Sequence, residues 1–135
     1  MAKPQPIEVT SDDFTITVDG VAYQPHEGEA VWLIPGLPTG AVFAATGLMQ
    51  MQPQIEAADT PQEQARIMAK LDEGMGRLLR LMAPRIVRWT WTDLAGRPLP
   101  QPDGTPGPLE LLTEEEIGWL LAACKGETPS QRKNG

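Results

Sequence analysis

His26, in the stretch YQPHEGEA at 23–30, is the one histidine of the chain. An imidazole near neutral pH suits acid–base work or metal ligation. Glu27 and Glu29 stand beside it, but a metal site needs several ligands converging from separate points. The stretch therefore reads as a turn carrying a surface histidine. Cys124 is the one cysteine. No second histidine is available to deprotonate it. It lies near the C-terminal end of a helical pattern, where the helix field opposes a thiolate, so it reads as a buried structural thiol. Glu114, Glu115 and Glu116 fall in one helical first turn and complement its positive end rather than forming an acid/base pair. The run DLAGRPLPQPDG at 93–104 has glycines but lacks the Lys-Ser/Thr pair and strand context of a phosphate loop. No nucleophile, base and orienting group can be assembled. The expectation is a non-enzymatic protein with no catalytic, cofactor-binding or metal-binding residue.

The surrounding elements are those of an interaction protein. The chain has 135 residues, enough for one domain with one core. Its 14 prolines and 13 glycines imply long irregular stretches. A formal net charge of −7 argues against nucleic acid as a partner. No run approaches the ~20 apolar residues of a membrane span. The opening MAKPQPIEVTSDD lacks a signal-peptide core, and a lone cysteine cannot form an internal disulfide. A cytoplasmic setting without membrane association is the resulting expectation.

Residues 1–12 read as a loose arm, 13–126 as a single domain and 127–135 as a disordered tail. FTITVDGVAY at 14–23 is a hairpin signal: Phe14, Ile16 and Val18 alternate with threonines, and Asp19-Gly20 supplies a tight two-residue turn. EAVWLI at 29–34 offers a third strand, which an isolated hairpin needs for stability. TGAVFAATGLMQMQ at 39–52 reads as a helix capped by Thr39, with Pro53 ending it or opening the next segment. Its apolar residues spread around the circumference, so it must be buried or covered. In 59–86, Thr60, Pro61 and Glu63 form a capping-box start. Ile67, Met68, Leu71, Met75, Leu78, Leu79 and Met82 share one arc, and Pro84 stops the helix near Met82. Arg66, Lys70, Arg77 and Arg80 line the opposite, solvated face. Trp89 and Trp91, in IVRWTWT at 86–92, point the same way on a strand and either pack on the core or wait for a partner. Residues 93–108 form a Pro/Gly-rich loop. Thr113 and Glu116 open a final amphipathic helix that Gly126 stops, with Trp119 closing the core edge against 86–92. The fold class is thus α+β: a small N-terminal hairpin or three-stranded sheet, a mainly helical body, a long loop and a C-terminal helix.

Taken together, the Asp19-Gly20 strand-turn, RWTWTDLAGRPLP at 88–100 and the E-I-x-W-L-L helix at 116–121 resemble the tail assembly chaperones of long-tailed bacteriophages. The resemblance spans about residues 14 to 126. It implies a helper in the host cytoplasm that binds the tail tape measure protein, keeps it soluble and recruits tail tube subunits around it, with self-association into a coat. On that reading Leu48, Met49, Met51, Met68, Met75, Trp89 and Trp91 are the candidate partner-binding residues, because flexible thioethers and large aromatics suit adaptable apolar surfaces. The extended EAVWLIPGLP departs from a largely helical family. The alternative is a structural subunit of the head–tail or tail module, retained in the virion.

Overall fold

Alternation and turn chemistry build the N-terminal part. The computed structural model describes residues 5–126; the expected tail at 127–135 lies outside them. Ile16–Val18 (β2) and Val21–Tyr23 (β3) pair as an antiparallel hairpin. Its turn puts Asp19 at φ 52° and Gly20 at φ 79°, the positive pair that Asp-Gly supplies with least strain. Residues 7–10, expected within a loose arm, are instead a strand. Ile7–Thr10 (β1) runs antiparallel to Ala30–Leu33 (β4), matching Val9 to Val31. Burial of Val9 is the reason: it is 2% exposed in the core. The expected third strand, β4, also forms, but beside β1 and Ile86–Trp89 (β5) rather than beside the hairpin. A three-stranded sheet, β1-β4-β5, and a separate two-stranded hairpin result.

β5 carries a bulge opposite Trp32/Leu33, where Arg88 faces Trp32 and Ile86 faces Leu33. Val87 is the extra residue. It shifts the strand's phase so that Ile86 and Trp89 both turn inward, which strict alternation would forbid. On the outer face the Arg88 guanidinium lies 3.8 Å from the Trp32 ring centre, a cation–π contact.

Between β4 and β5 the chain makes a helical hairpin. Thr39–Ala57 (α1) packs on Pro61–Met82 (α2). α1 differs from expectation in three ways. Pro38, not Thr39, is its N-cap, and no side chain caps it. It runs through Pro53 to Ala57. Pro53 is exposed, so its ring clears the packed side. Finally, the helix is not covered all round: Ala41 and Ala45 are buried, while Phe43 and Met49 are 71% and 76% exposed. α2 follows its sequence signals. Thr60 Oγ1 accepts from the Glu63 N–H at 3.1 Å, Pro61 opens the helix, and Pro84 sits in a 3-10 turn at Ala83–Arg85. Ile67, Leu78, Leu79 and Met82 are buried, and Arg66, Lys70, Arg77 and Arg80 are exposed.

The Pro-rich bridge is anchored along its length. Asp93 Oδ1 accepts from the N–H groups of Ala95 and Arg97, fixing a turn that brings Pro98 opposite Thr92. Gln101 then imitates a neighbouring strand: its amide donates to the Trp89 carbonyl at 2.8 Å and accepts from the Trp89 N–H at 3.2 Å. The free edge of β5 is thereby covered without a partner strand. After a short helix at Gly107–Glu110 (α3), Glu114–Cys124 (α4) starts on a full capping box between Thr113 and Glu116. Ile117, Leu120, Ala123 and Cys124 face the core, which the sheet, the base of α1–α2 and α4 enclose.

Trp119 packs at the edge of that core, its ring centre 5.6 Å from that of Trp91, and its Nε1 donates to Asp13 Oδ1 at 3.2 Å. Trp119→Ala is expected to cost about 3 kcal/mol, the lower end for a truncated Trp because this one is partly buried. Thermal unfolding followed by circular dichroism should show a drop of several degrees. An unchanged melting temperature would move Trp119 out of the core.

Candidate functional site

The structure overturns the surface reading of His26. Its ring is 2% exposed and stacks on Trp91 with centroids 4.2 Å apart and planes within 6°. Phe14 packs beside it at 5.3 Å, tilted by 40°, and also lies 6.3 Å from Trp91. Two carboxylates hold the ring in plane. Nδ1 lies 2.7 Å from Glu29 Oε1, and Nε2 lies 2.5 Å from Glu116 Oε2. A neutral imidazole has one N–H and one lone pair. With an ionised carboxylate against each nitrogen, a lone pair on either side would face another lone pair. The geometry favours the imidazolium, donating both ways through charge-assisted bonds.

The remaining carboxylate oxygens are also used. Glu29 accepts from the Thr92 N–H at 3.0 Å and the Thr92 hydroxyl at 2.8 Å. Glu116 Oε1 accepts from the Thr113 N–H at 2.8 Å, so one side chain closes the capping box and grips His26. Beneath them Ser11, fully buried, donates its hydroxyl to the Glu29 carbonyl at 2.7 Å and accepts from Trp91 Nε1 at 2.9 Å. A buried charge is costly unless paired and hydrogen-bonded, and here it is both. For His26, burial pulls the pKa down, but the hydrogen bonds to Glu116 and Glu29 and their charges outweigh it and leave it raised. For Glu116, burial pushes up, and the bonds from His26 and Thr113 with the imidazolium charge bring it below its ordinary value.

The cluster sits at the floor of an open cleft of about 870 Å³. β2 forms one wall, the 92–97 turn another, and Leu111, Thr113 and Glu115 a third. His26 reaches the cleft, but both of its ring nitrogens are already committed. Cys124 is buried, and loss of hydration pushes its thiol up to about 12, with Arg85 offsetting only part of this.

The candidate partner-binding residues separate into two groups. Trp89 and Trp91 are corrected to core: they are 2% and 1% exposed and stack on each other at 5.6 Å. In a chain with two phenylalanines and one tyrosine, burial of these rings outweighs any outward role. The others lie on the helical hairpin. Met49 and Met68 are 76% and 50% exposed, whereas Leu48, Met51 and Met75 are half-buried. Leu48 lies against Gly74, where an added Cβ would come within 3.1 Å of it, so α1 and α2 approach closely there. Phe43 on α1 is also large and exposed; its place in an all-round apolar helix is the sequence signal that could have found it. No helix among the described residues is long and apolar enough to cross a membrane. Comparison with protein-family models, with curated proteins and with solved structures finds no match.

The pH dependence has a defined sign. The raised His26 pKa adds stability that is complete below the unfolded value of about 6.5 and is lost as pH rises through the folded value. The lowered Glu116 pKa adds stability above about 4.3 that is lost as pH falls through its folded value. Melting temperature should peak between these limits and decline toward alkaline pH. His26→Gln should melt lower at pH 6 and lose the alkaline decline. A wild-type melting temperature constant from pH 6 to pH 9 would contradict the imidazolium clamp.

Proposed function

We propose that the chain is a non-enzymatic tail assembly chaperone of a long-tailed phage, acting in the host cytoplasm and working through its helical hairpin. The observation that carries this reading is the set of large apolar side chains that α1 and α2 leave exposed. Phe43, Met49 and Met68 are all at least half exposed there. Covering one such side chain contributes roughly 1.5–3 kcal/mol, so the surface favours an apolar partner. Methionines adapt their shape to varied contacts, which suits a client that presents many different helical turns. The client on this reading is the tape measure protein, and tail tube subunits later replace the chaperone along it. Copies of the chain associate on the client, and the net charge of −7 keeps the coat soluble.

The rest of the fold is consistent with a rigid mount for that surface. The base of the hairpin is anchored in the common core through Ala41, Ala45, Leu78, Leu79 and Met82. Binding residues on anchored helices need little ordering when they engage.

Co-expression with the tape measure protein encoded alongside the chain should hold that protein in the soluble fraction. The triple variant Phe43→Glu, Met49→Glu, Met68→Glu should leave it insoluble while keeping a wild-type circular dichroism spectrum and melting temperature, since all three positions are exposed. Solubilisation undiminished by the variant would take the hairpin surface out of the function; a tape measure protein insoluble with wild type would refute the chaperone reading.

A further inference from the structure

The cleft above the His26 cluster has a feature that the chaperone reading does not use. Phe14, Thr15, Ile16, Thr17 and Val18 all line it. Successive strand residues point to opposite faces, so a wall that includes every one of them is the strand's edge. The turn fixes which groups lie on that edge. In a two-residue hairpin the residues flanking the turn, Val18 and Val21, exchange backbone hydrogen bonds, and so do Ile16 and Tyr23. Thr17, opposite Ala22, is the pair between them. Its N–H and C=O therefore point away from β3, and alternation gives Thr15 the same direction. β2 pairs with β3 alone, and among the described residues no backbone bond reaches the Thr15 or Thr17 N–H. An edge of this kind is a template for another strand.

We propose that this cleft is a strand-addition site, in which an extended segment of a partner protein pairs with the Thr15–Thr17 edge of β2. The size fits, since binding clefts commonly run from roughly 300 to 1,000 Å³. Ile16, Leu99 and Leu111 give it an apolar lining, so the segment carries apolar side chains at alternate positions. Charge selects its end. Asp93 is paired with Arg97 at 3.2 Å and Glu116 with His26, which leaves Glu115 as the uncompensated charge among the described lining residues. The segment places a lysine or arginine there. The hairpin itself gains a third strand, which a two-stranded ribbon needs for firm stability.

The test uses a short fluorescein-labelled peptide of alternating valine and threonine with one terminal lysine, titrated into the full chain by fluorescence anisotropy. Thr17→Pro removes the outward N–H while sparing the bonds of Ile16 and Val18, and proline is tolerated on such an edge. It should weaken binding at least about tenfold, whereas Thr17→Val, which keeps the N–H, should bind as wild type. Because Thr17→Pro could disturb the hairpin, a peptide N-methylated at every residue, which blocks both of its edges, is titrated into the wild-type chain and should also fail. Amide exchange at Thr15 and Thr17 should slow on binding. Glu115→Lys should weaken the lysine-ended peptide and favour a glutamate-ended one. Equal binding of plain and N-methylated peptides would mean apolar filling without strand addition and overturn the proposal, as would no binding by wild type. Self-association in sedimentation that Thr17→Pro abolishes would make a second copy the occupant and overturn the partner assignment.

Discussion

The imidazolium of His26, held between Glu29 and Glu116 and laid flat on Trp91, joins parts of the chain that otherwise have little reason to meet. Glu29 precedes β4 and also holds Thr92 beyond β5. Glu116 belongs to the first turn of α4. Phe14 brings in the base of the β2–β3 hairpin, and Trp91 passes the contact on to Trp89 and Trp119. One ring thus docks the C-terminal helix and the N-terminal hairpin onto the sheet. The cation–π attraction of a protonated ring over an indole adds to the charge-assisted bonds. Removing His26 would leave two largely buried carboxylates without their countercharge, which costs more than the bonds contribute in the intact cluster.

Local grammar was legible from the residues alone. Asp19-Gly20 forms the tight turn, Thr60-Pro61 and Thr113-Glu116 open the helices as their types dictate, and Pro84 ends α2. Each of these depends on contacts within four residues. What was not legible is what the chain brings together from afar. β1 has a weak pattern of its own and becomes a strand because Val9 fits beside Val31. β4 was readable as extended, but its neighbours were not. His26 sits in a Gly- and Glu-rich turn that says surface, and its burial is dictated by Glu116, ninety positions on. The nearest available hints were a histidine with a glutamate three residues later and a tryptophan run in a chain short of phenylalanine and tyrosine. In β5, the bulge at Val87 makes Ile86 and Trp89 face the same way, which a period of two could not foretell.

The same contrast marks the helical hairpin. α2 has one apolar arc and one basic face, so sequence and burial agree along it. α1 has no such division. A helix apolar on all sides reads as buried, yet only the side toward α2 and the core is covered, and Phe43 and Met49 remain in solvent. Packing between two helices can bury a stripe and no more. The rest of the apolar surface of α1 stays in solvent.

The position of that hairpin also bears on how the chain reaches its native state. β4 and β5 are neighbours in the sheet but are separated by both long helices, an arrangement that would ordinarily impose a slow search to close a large loop. Helices of 19 and 22 residues form locally and fast, and their antiparallel association returns the chain to its starting point. At the base of the pair the Ile34 N–H meets the Arg85 carbonyl at 2.8 Å, directly at the junction of β4 and β5. Once the helices have zipped, the two strands are already adjacent, and the distant pairing becomes a short-range one. The helical hairpin thus acts as the splint on which the central sheet is assembled.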